Sequence, residues 1–268
     1  MEALQENQQG TEVWVGNAGL GGENTVGHLA FLETLPVLKT ADLLIFMIGG
    51  NDFLPALAFK GAPTQEILEA NTHAFRRTHS TVGPRFRRVQ LLRYFWAQRR
   101  LIEKNDTRDQ DGGGDWYNRR RQERAAGPIV PMPDLGIALE EYTPRVRNIS
   151  NWCQGHGIRC LYLTQPTIWR EDLESEAAKL MFTGNVGTRS DPDGYLYVGD
   201  LAKGMDSYNQ ALLDLCSQDG LECFDIAQLI PKDMSAFYDD MHFNEAGAQM
   251  VANRIADYLL TKAPFVGP

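Results

Sequence analysis

The sequence predicts an α/β fold built on a parallel sheet. Three observations lead there. Short continuous apolar runs end in glycine or proline, helical patterns alternate with those runs, and polar residues of catalytic type follow directly after them. Strand, helix, strand, helix in that order implies right-handed crossovers. The 268 residues, 43% of them hydrophobic, suffice for one large core, so a single domain spanning 1–268 is expected.

The elements follow in chain order. Thr11 to Asn17 (TEVWVGN) reads as a short strand that ends in a glycine-rich turn. Leu43 to Ile48 is an uninterrupted apolar run closed by Gly49 and Gly50, as expected of a parallel strand buried on both faces. Gly157 to Pro166 (GIRCLYLTQP) is a third strand, stopped by its proline. Leu221 to Ala227 is a fourth and shorter one. Helical patterns over Leu139–Cys153 and Met205–Cys216 precede the last two strands. A final helix from about Glu245 to Leu260 carries Met250, Val251, Ile255, Tyr258 and Leu259 on one face, with Asn244 placed to cap it.

From about Phe75 to Arg124 the rhythm breaks. Arginines cluster at 76–77, 85–88, 98–100 and 119–121, with Phe86, Tyr94, Phe95, Trp96 and Trp116 among them. This reads as a helical, lid-like insertion over about 75–130, its charges facing solvent. The same composition also suits an acidic substrate or a membrane surface.

Bulk properties exclude several classes. The formal net charge is −9, which argues against nucleic acid as the main partner. No apolar run reaches the roughly 18 residues of a membrane-spanning helix. The polar start MEALQENQQG is not a signal peptide. The cysteines fall in two similar pairs, Cys153/Cys160 and Cys216/Cys223. They read as small buried thiols, although an oxidising compartment would allow disulfides. No Cys/His grouping suggests zinc, and no cofactor is expected.

Three short segments carry chemistry. In YDDMHFN, Asp239 stands three residues before His242. A hydrolase needs a base for its nucleophile and a carboxylate to fix the tautomer of that base. A surface aspartate with a capping histidine would give the same spacing. In MIGGNDFL, Asn51 lies just past the end of a strand, where open α/β sheets bind ligands. Its side-chain N–H there can stabilise an oxyanion by roughly 3 kcal/mol, and an Asx turn is the alternative role. Asp52 is expected to brace the loop. In GNAGLGGENT, the glycines allow close backbone approach, and the N–H of Gly22 is placed as a second oxyanion donor.

Taken together and in this order, NAGLGGENT, GGND and DDMHFNEAG resemble the glycine, asparagine and final blocks of the SGNH (GDSL-type) hydrolase family. The resemblance runs from Thr11 to Leu260, apart from the arginine-rich middle. It implies a three-layer α/β/α, flavodoxin-like sheet of order 2-1-3-4-5. It makes Gly22 and Asn51 oxyanion donors, His242 the general base and Asp239 its orienting partner. The implied ligand is a small-molecule or carbohydrate ester: an acetylated sugar, a short acyl ester or a lipid.

The family's first block, Gly-Asp-Ser at the end of strand one, has no counterpart here, and no GxSxG elbow replaces it. The resemblance therefore implies that the chain begins inside the first helix and lacks interior strand one. A late gene start or a fragment, a variant that rebuilds the sheet, or a partner chain would each account for this. Little or no esterase activity is expected of the chain as written. A carbohydrate-binding scaffold and an acyltransferase are the competing functions, and a bacterial secreted or periplasmic setting is implied by resemblance alone. Oligomeric state stays open.

Overall fold

The computed structural model describes residues 13–70, 114–188 and 191–262. In chain order these form α1 (Thr25–Thr34), β1 (Leu43–Met47), α2 (Gly50–Ala58), α3 (Gln65–Ala70), α4 (Gly114–Ala126), α5 (Gly136–Gly155), β2 (Arg159–Leu163), α6 (Ser175–Ala178), β3 (Asn185–Thr188), β4 (Asp191–Tyr195), α7 (Val198–Asp219), β5 (Glu222–Phe224) and α8 (Glu245–Thr261). The fold is α/β, as the alternation of patterns requires. β1, β2 and β5 make a parallel sheet in that spatial order. Leu43 pairs with Arg159 and Met47 with Leu163, while Leu161 pairs with Glu222.

The core sits between this sheet and its helices. Phe46 of β1 stacks on Tyr162 of β2 at 5.6 Å. Tyr142 of α5 meets Tyr208 of α7 edge-on at 5.0 Å, and Phe53 of α2 packs on Trp169 and Tyr208. Phe224 of β5 stacks on Tyr258 of α8 at 4.5 Å. Helix α8 starts at the expected residue, and the Asn244 side chain accepts from the Gly247 N–H at 2.8 Å.

Several expectations are corrected. Val13–Val15 is not a strand. These residues are irregular, with Trp14 and Val15 83% and 55% exposed. A β-strand needs a neighbouring strand for its backbone groups, and the sheets of the described residues do not include this segment. β1 is not buried on both faces, because Ile45 is 42% exposed. Among the described residues β1 lies at the sheet's edge, where cover on one side is lost. An antiparallel hairpin, β3–β4, was not anticipated, because NVGT and DPDGY are poor strand formers by composition. The cysteines are not free thiols. Cys153–Cys160 joins the end of α5 to β2, and Cys216–Cys223 joins the end of α7 to β5.

The arginine-rich segment is described only from Gly114. Its earlier clusters, at 76–77, 85–88 and 98–100, lie outside the described residues, as do Phe86, Tyr94, Phe95 and Trp96. In α4 the guanidiniums of Arg120, Arg121 and Arg124 are anchors rather than solvated charges, whereas Arg119 is exposed as expected. Arg124 donates to the Thr183 and Leu196 carbonyls at 2.6 and 2.7 Å. Arg121 donates to the Leu180 carbonyl at 3.1 Å, and Arg120 to Asn185 Oδ1 at 3.0 Å. Carbonyl oxygens left over by the irregular backbone on either side of the hairpin thus find charged donors, which are stronger than neutral ones.

Candidate active site

The loop ahead of α8 explains how Asp239 and His242 converge. The Tyr238 N–H donates to the His242 carbonyl at 3.0 Å, and the Asn244 N–H donates to the Ala236 carbonyl at 3.0 Å, closing a tight turn. Helix α8 is pressed onto it: a Cβ on Gly247 would lie 1.9 Å from the Ala236 carbonyl oxygen. Inside the turn, Asp239 is buried. Its Oδ1 accepts from the Met241 and His242 N–H groups at 3.0 and 2.8 Å. Its Oδ2 lies 2.8 Å from His242 Nδ1.

The carboxylate therefore holds the Nδ1–H tautomer, which leaves Nε2 of the half-exposed ring as a proton acceptor. Burial alone would raise the Asp239 pKa, but the His242 hydrogen bond and the two backbone donors outweigh it and keep it below the usual value. The same hydrogen bond raises His242, against the opposing effect of burial.

Gly22 and Asn51 come together on the other side. Asn51 stands in the first turn of α2, which Gly49 opens with φ 114°. Asn51 Nδ2 donates to the Glu23 carbonyl at 3.0 Å, next in chain to exposed Gly22, whose φ is 82°. Only glycine takes such backbone angles at little cost. Asn24 caps α1 through Gly27 N–H at 3.1 Å and donates to the Leu68 carbonyl.

Below this, Asp52 accepts from the Thr25 hydroxyl at 2.6 Å and the Thr25 N–H at 3.2 Å. Arg145 of α5 donates from Nε to the Thr25 hydroxyl at 3.0 Å and lies 3.7 Å from Asp52. Burial pushes the Asp52 pKa up to about 6, against the lowering effects of Thr25 and Arg145. The expected brace is thus a buried network that fixes the glycine segment to the start of α2.

The segment after β2 touches the neighbourhood of each pair. Gly50 packs against the Gln165 side chain, while the Ile168 N–H donates to the Asp240 carbonyl at 3.4 Å. Asp240, fully buried, also takes the Thr183 hydroxyl at 2.5 Å and the Thr183 N–H at 3.1 Å. That clamp places Phe182 nearly parallel to His242, ring centres 6.1 Å apart, and Tyr238 lies similarly at 5.7 Å.

Sequence reasoning missed Arg145, Asp240 and these rings. Arg145 had a legible signal: it interrupts the apolar stripe Tyr142, Val146, Ile149 of an amphipathic helix. Asp240 and Phe182 had none. Among the described residues, no group of His, Cys, Asp and Glu is arranged to hold a metal ion, and no helix is long and apolar enough to cross a membrane.

Residues 2–250 match the model of the GDSL-like lipase/acylhydrolase family. The chain belongs to that family, which places it among the ester hydrolases. Among solved structures it is similar to the acetyl xylan esterase AlAXEase, at 12% identity over 90% of this chain and 79% of that one, with a TM-score of 0.45. It is similar also to Axe2, an acetylxylan esterase from Geobacillus stearothermophilus, at 12% identity over 99% of this chain and 80% of that one, with a TM-score of 0.49. A search of curated proteins finds no match.

Proposed function

We propose that this site performs serine-type hydrolysis of acyl or acetyl esters through an acyl-enzyme. The carrying observation is the 2.8 Å contact between His242 Nδ1 and Asp239, within a chain of this family. In the reaction, a serine Oγ attacks the acyl carbonyl carbon as His242 Nε2 takes its proton. Asn51 Nδ2–H and the Gly22 N–H stabilise the oxyanion, and Nε2–H then protonates the departing alcohol. Water, activated by the same imidazole, releases the acid. Helix α4 lies beside the dyad, joined to it through Phe182.

Three of the described serines have other partners. Ser150 is buried against the Tyr162 hydroxyl at 2.7 Å. Ser207 donates to the Lys203 carbonyl at 2.9 Å, and the Ser235 N–H donates to Asp233 at 2.8 Å. No serine of the sequence stands in a counterpart of the family's Gly-Asp-Ser block, so we expect the chain as written to turn over p-nitrophenyl acetate slowly or not at all.

The test compares this chain with a version extended by a strand carrying Gly-Asp-Ser, each with and without His242→Ala. Turnover that appears with the extension and vanishes with His242→Ala supports the reading. Turnover by the unextended chain that His242→Ala abolishes would put the nucleophile inside it. Turnover indifferent to His242 would overturn the assignment altogether.

A further inference from the structure

Among the described residues, the His242 imidazole is hydrogen-bonded only at Nδ1, where Asp239 Oδ2 and Oδ1 lie at 2.8 and 3.1 Å. The side chain is otherwise 44% exposed. Bonds at one edge set where the ring points. They leave its tilt to the second side-chain torsion of histidine, which has only broad preferences. Two rings lie nearly parallel to the imidazole. Tyr238 is half-exposed and stands on the same loop, so it can move with the histidine. Phe182 is buried, comes from a distant part of the chain, and lies 5° from the imidazole plane with ring centres 6.1 Å apart.

The backbone that carries Phe182 is held from two sides. Asp240 Oδ2 accepts from the Phe182 N–H at 3.3 Å, the Thr183 N–H at 3.1 Å and the Thr183 hydroxyl at 2.5 Å. Arg124 donates to the Thr183 carbonyl at 2.6 Å. Each contact involves a charged side chain, the stronger kind of hydrogen bond. Asp240 Oδ1 is buried with no hydrogen-bond partner among the described residues. A buried carboxyl group with one oxygen unsatisfied is a poor way to stabilise a fold, so its presence beside the base calls for another explanation.

We propose that Asp240 is a positioning residue for the base: through Thr183 it seats the Phe182 ring against the His242 imidazole and so fixes the ring plane. Adjacent carboxyl groups then divide the work. Asp239 holds the Nδ1 edge, and Asp240 holds the neighbour that stops the ring from tilting. For turnover this rests on the hydrolytic reading, in which Nε2 takes a proton from the nucleophile and hands it to the departing alcohol. A base misplaced by 1 Å can cost about 10²-fold in such a transfer. The charged or titratable groups around the ring are Asp239, Asp240 and Tyr238 on its own loop, with Tyr117, Arg121 and Arg124 on α4. Substitutions at Thr183 and Phe182 leave all of them in place, so they test positioning apart from charge.

The test reads the imidazole itself and needs no turnover, so its failure is distinct from failure of the hydrolytic reading. The signal is the His242 Nδ1–H proton resonance of the whole chain, assigned by its loss in His242→Ala. Its exchange with water reports how often the ring leaves Asp239. Thr183→Val keeps the size of the side chain and the Thr183 N–H but removes the hydroxyl donor. It should speed exchange about tenfold, the usual worth of one hydrogen bond to a charged group. Thr183→Ser restores the hydroxyl and should restore the parental rate. Phe182→Leu removes the ring and leaves the clamp, and should speed exchange as Thr183→Val does. Thr143→Val deletes a hydroxyl that donates to the Leu139 carbonyl at 3.2 Å within α5, and should change nothing at His242. Parental exchange in Thr183→Val or Phe182→Leu would overturn the proposal. So would equal acceleration by Thr143→Val, or failure of Thr183→Ser to rescue.

Discussion

Replacing Asp52 by asparagine tests whether the buried network beneath Asn51 has the electrostatics described. Burial pushes Asp52 up to about 6, compared with 3.8 for a free aspartate. At about 1.36 kcal/mol per pH unit, that gap is worth about 3 kcal/mol. Between these two values the folded protein holds a proton that the unfolded chain has already lost. The associated stability is fully present below 3.8, declines as the pH rises, and is gone above the folded value. Asparagine carries no such proton and keeps one accepting oxygen for Thr25. Arg145 keeps Glu141 at 3.8 Å. Urea unfolding of both proteins across a pH series isolates the effect, because groups common to both cancel in the difference. Wild-type stability minus that of Asp52→Asn should fall by about 3 kcal/mol between about pH 4 and pH 7. A flat difference would refute the raised pKa. A difference that grows with pH would show that Arg145 and Thr25 outweigh burial.

Three further outcomes are expected. Because Asp239 raises His242 and the base must be neutral, kcat/KM in an active form of the enzyme should fall as the pH drops through the raised value. Asp239→Asn should move that acid limb to lower pH and lower kcat by up to about 10⁴-fold, as read from p-nitrophenyl acetate profiles. Removing either disulfide by paired Cys→Ser substitution should cost about 2–3 kcal/mol, as expected for short closed loops, and lower the melting temperature while leaving ligand affinity intact. Gly247→Ala should destabilise by about 1–3 kcal/mol or more, since its Cβ would meet the Ala236 carbonyl oxygen at 1.9 Å; a urea midpoint equal to that of the parent would contradict that contact.

What the sequence disclosed was mostly local. Apolar runs located β1, β2 and β5, and the 3.6-residue pattern with its Asn244 cap located α8 to within a residue or two. Spacing allowed the Asp239–His242 pair, because a three-residue turn can fold a carboxylate back onto a following ring, and the three segments together selected it over a surface aspartate with a capping histidine. The misses were long-range. Val13–Val15 has strand chemistry, but pairing depends on a neighbour that a local window cannot see. The arginines of α4 looked solvated because the carbonyls they bind lie about 60 residues away in the chain, at Leu180, Thr183 and Leu196. Asp240 carries no local signal, because the Phe182 and Thr183 N–H groups that it holds lie far away in the chain.

The fastening of α4 has a consequence for how turnover responds to acidity. Its grip joins guanidinium to amide carbonyl, and burial lowers the Arg124 pKa from its usual value without bringing an arginine near neutral pH. The imidazole beside it does titrate. In mild acid α4 therefore stays fastened while the base beside it is silenced, so loss of turnover on acidification reports the imidazole and not a loosening of the helix next to it.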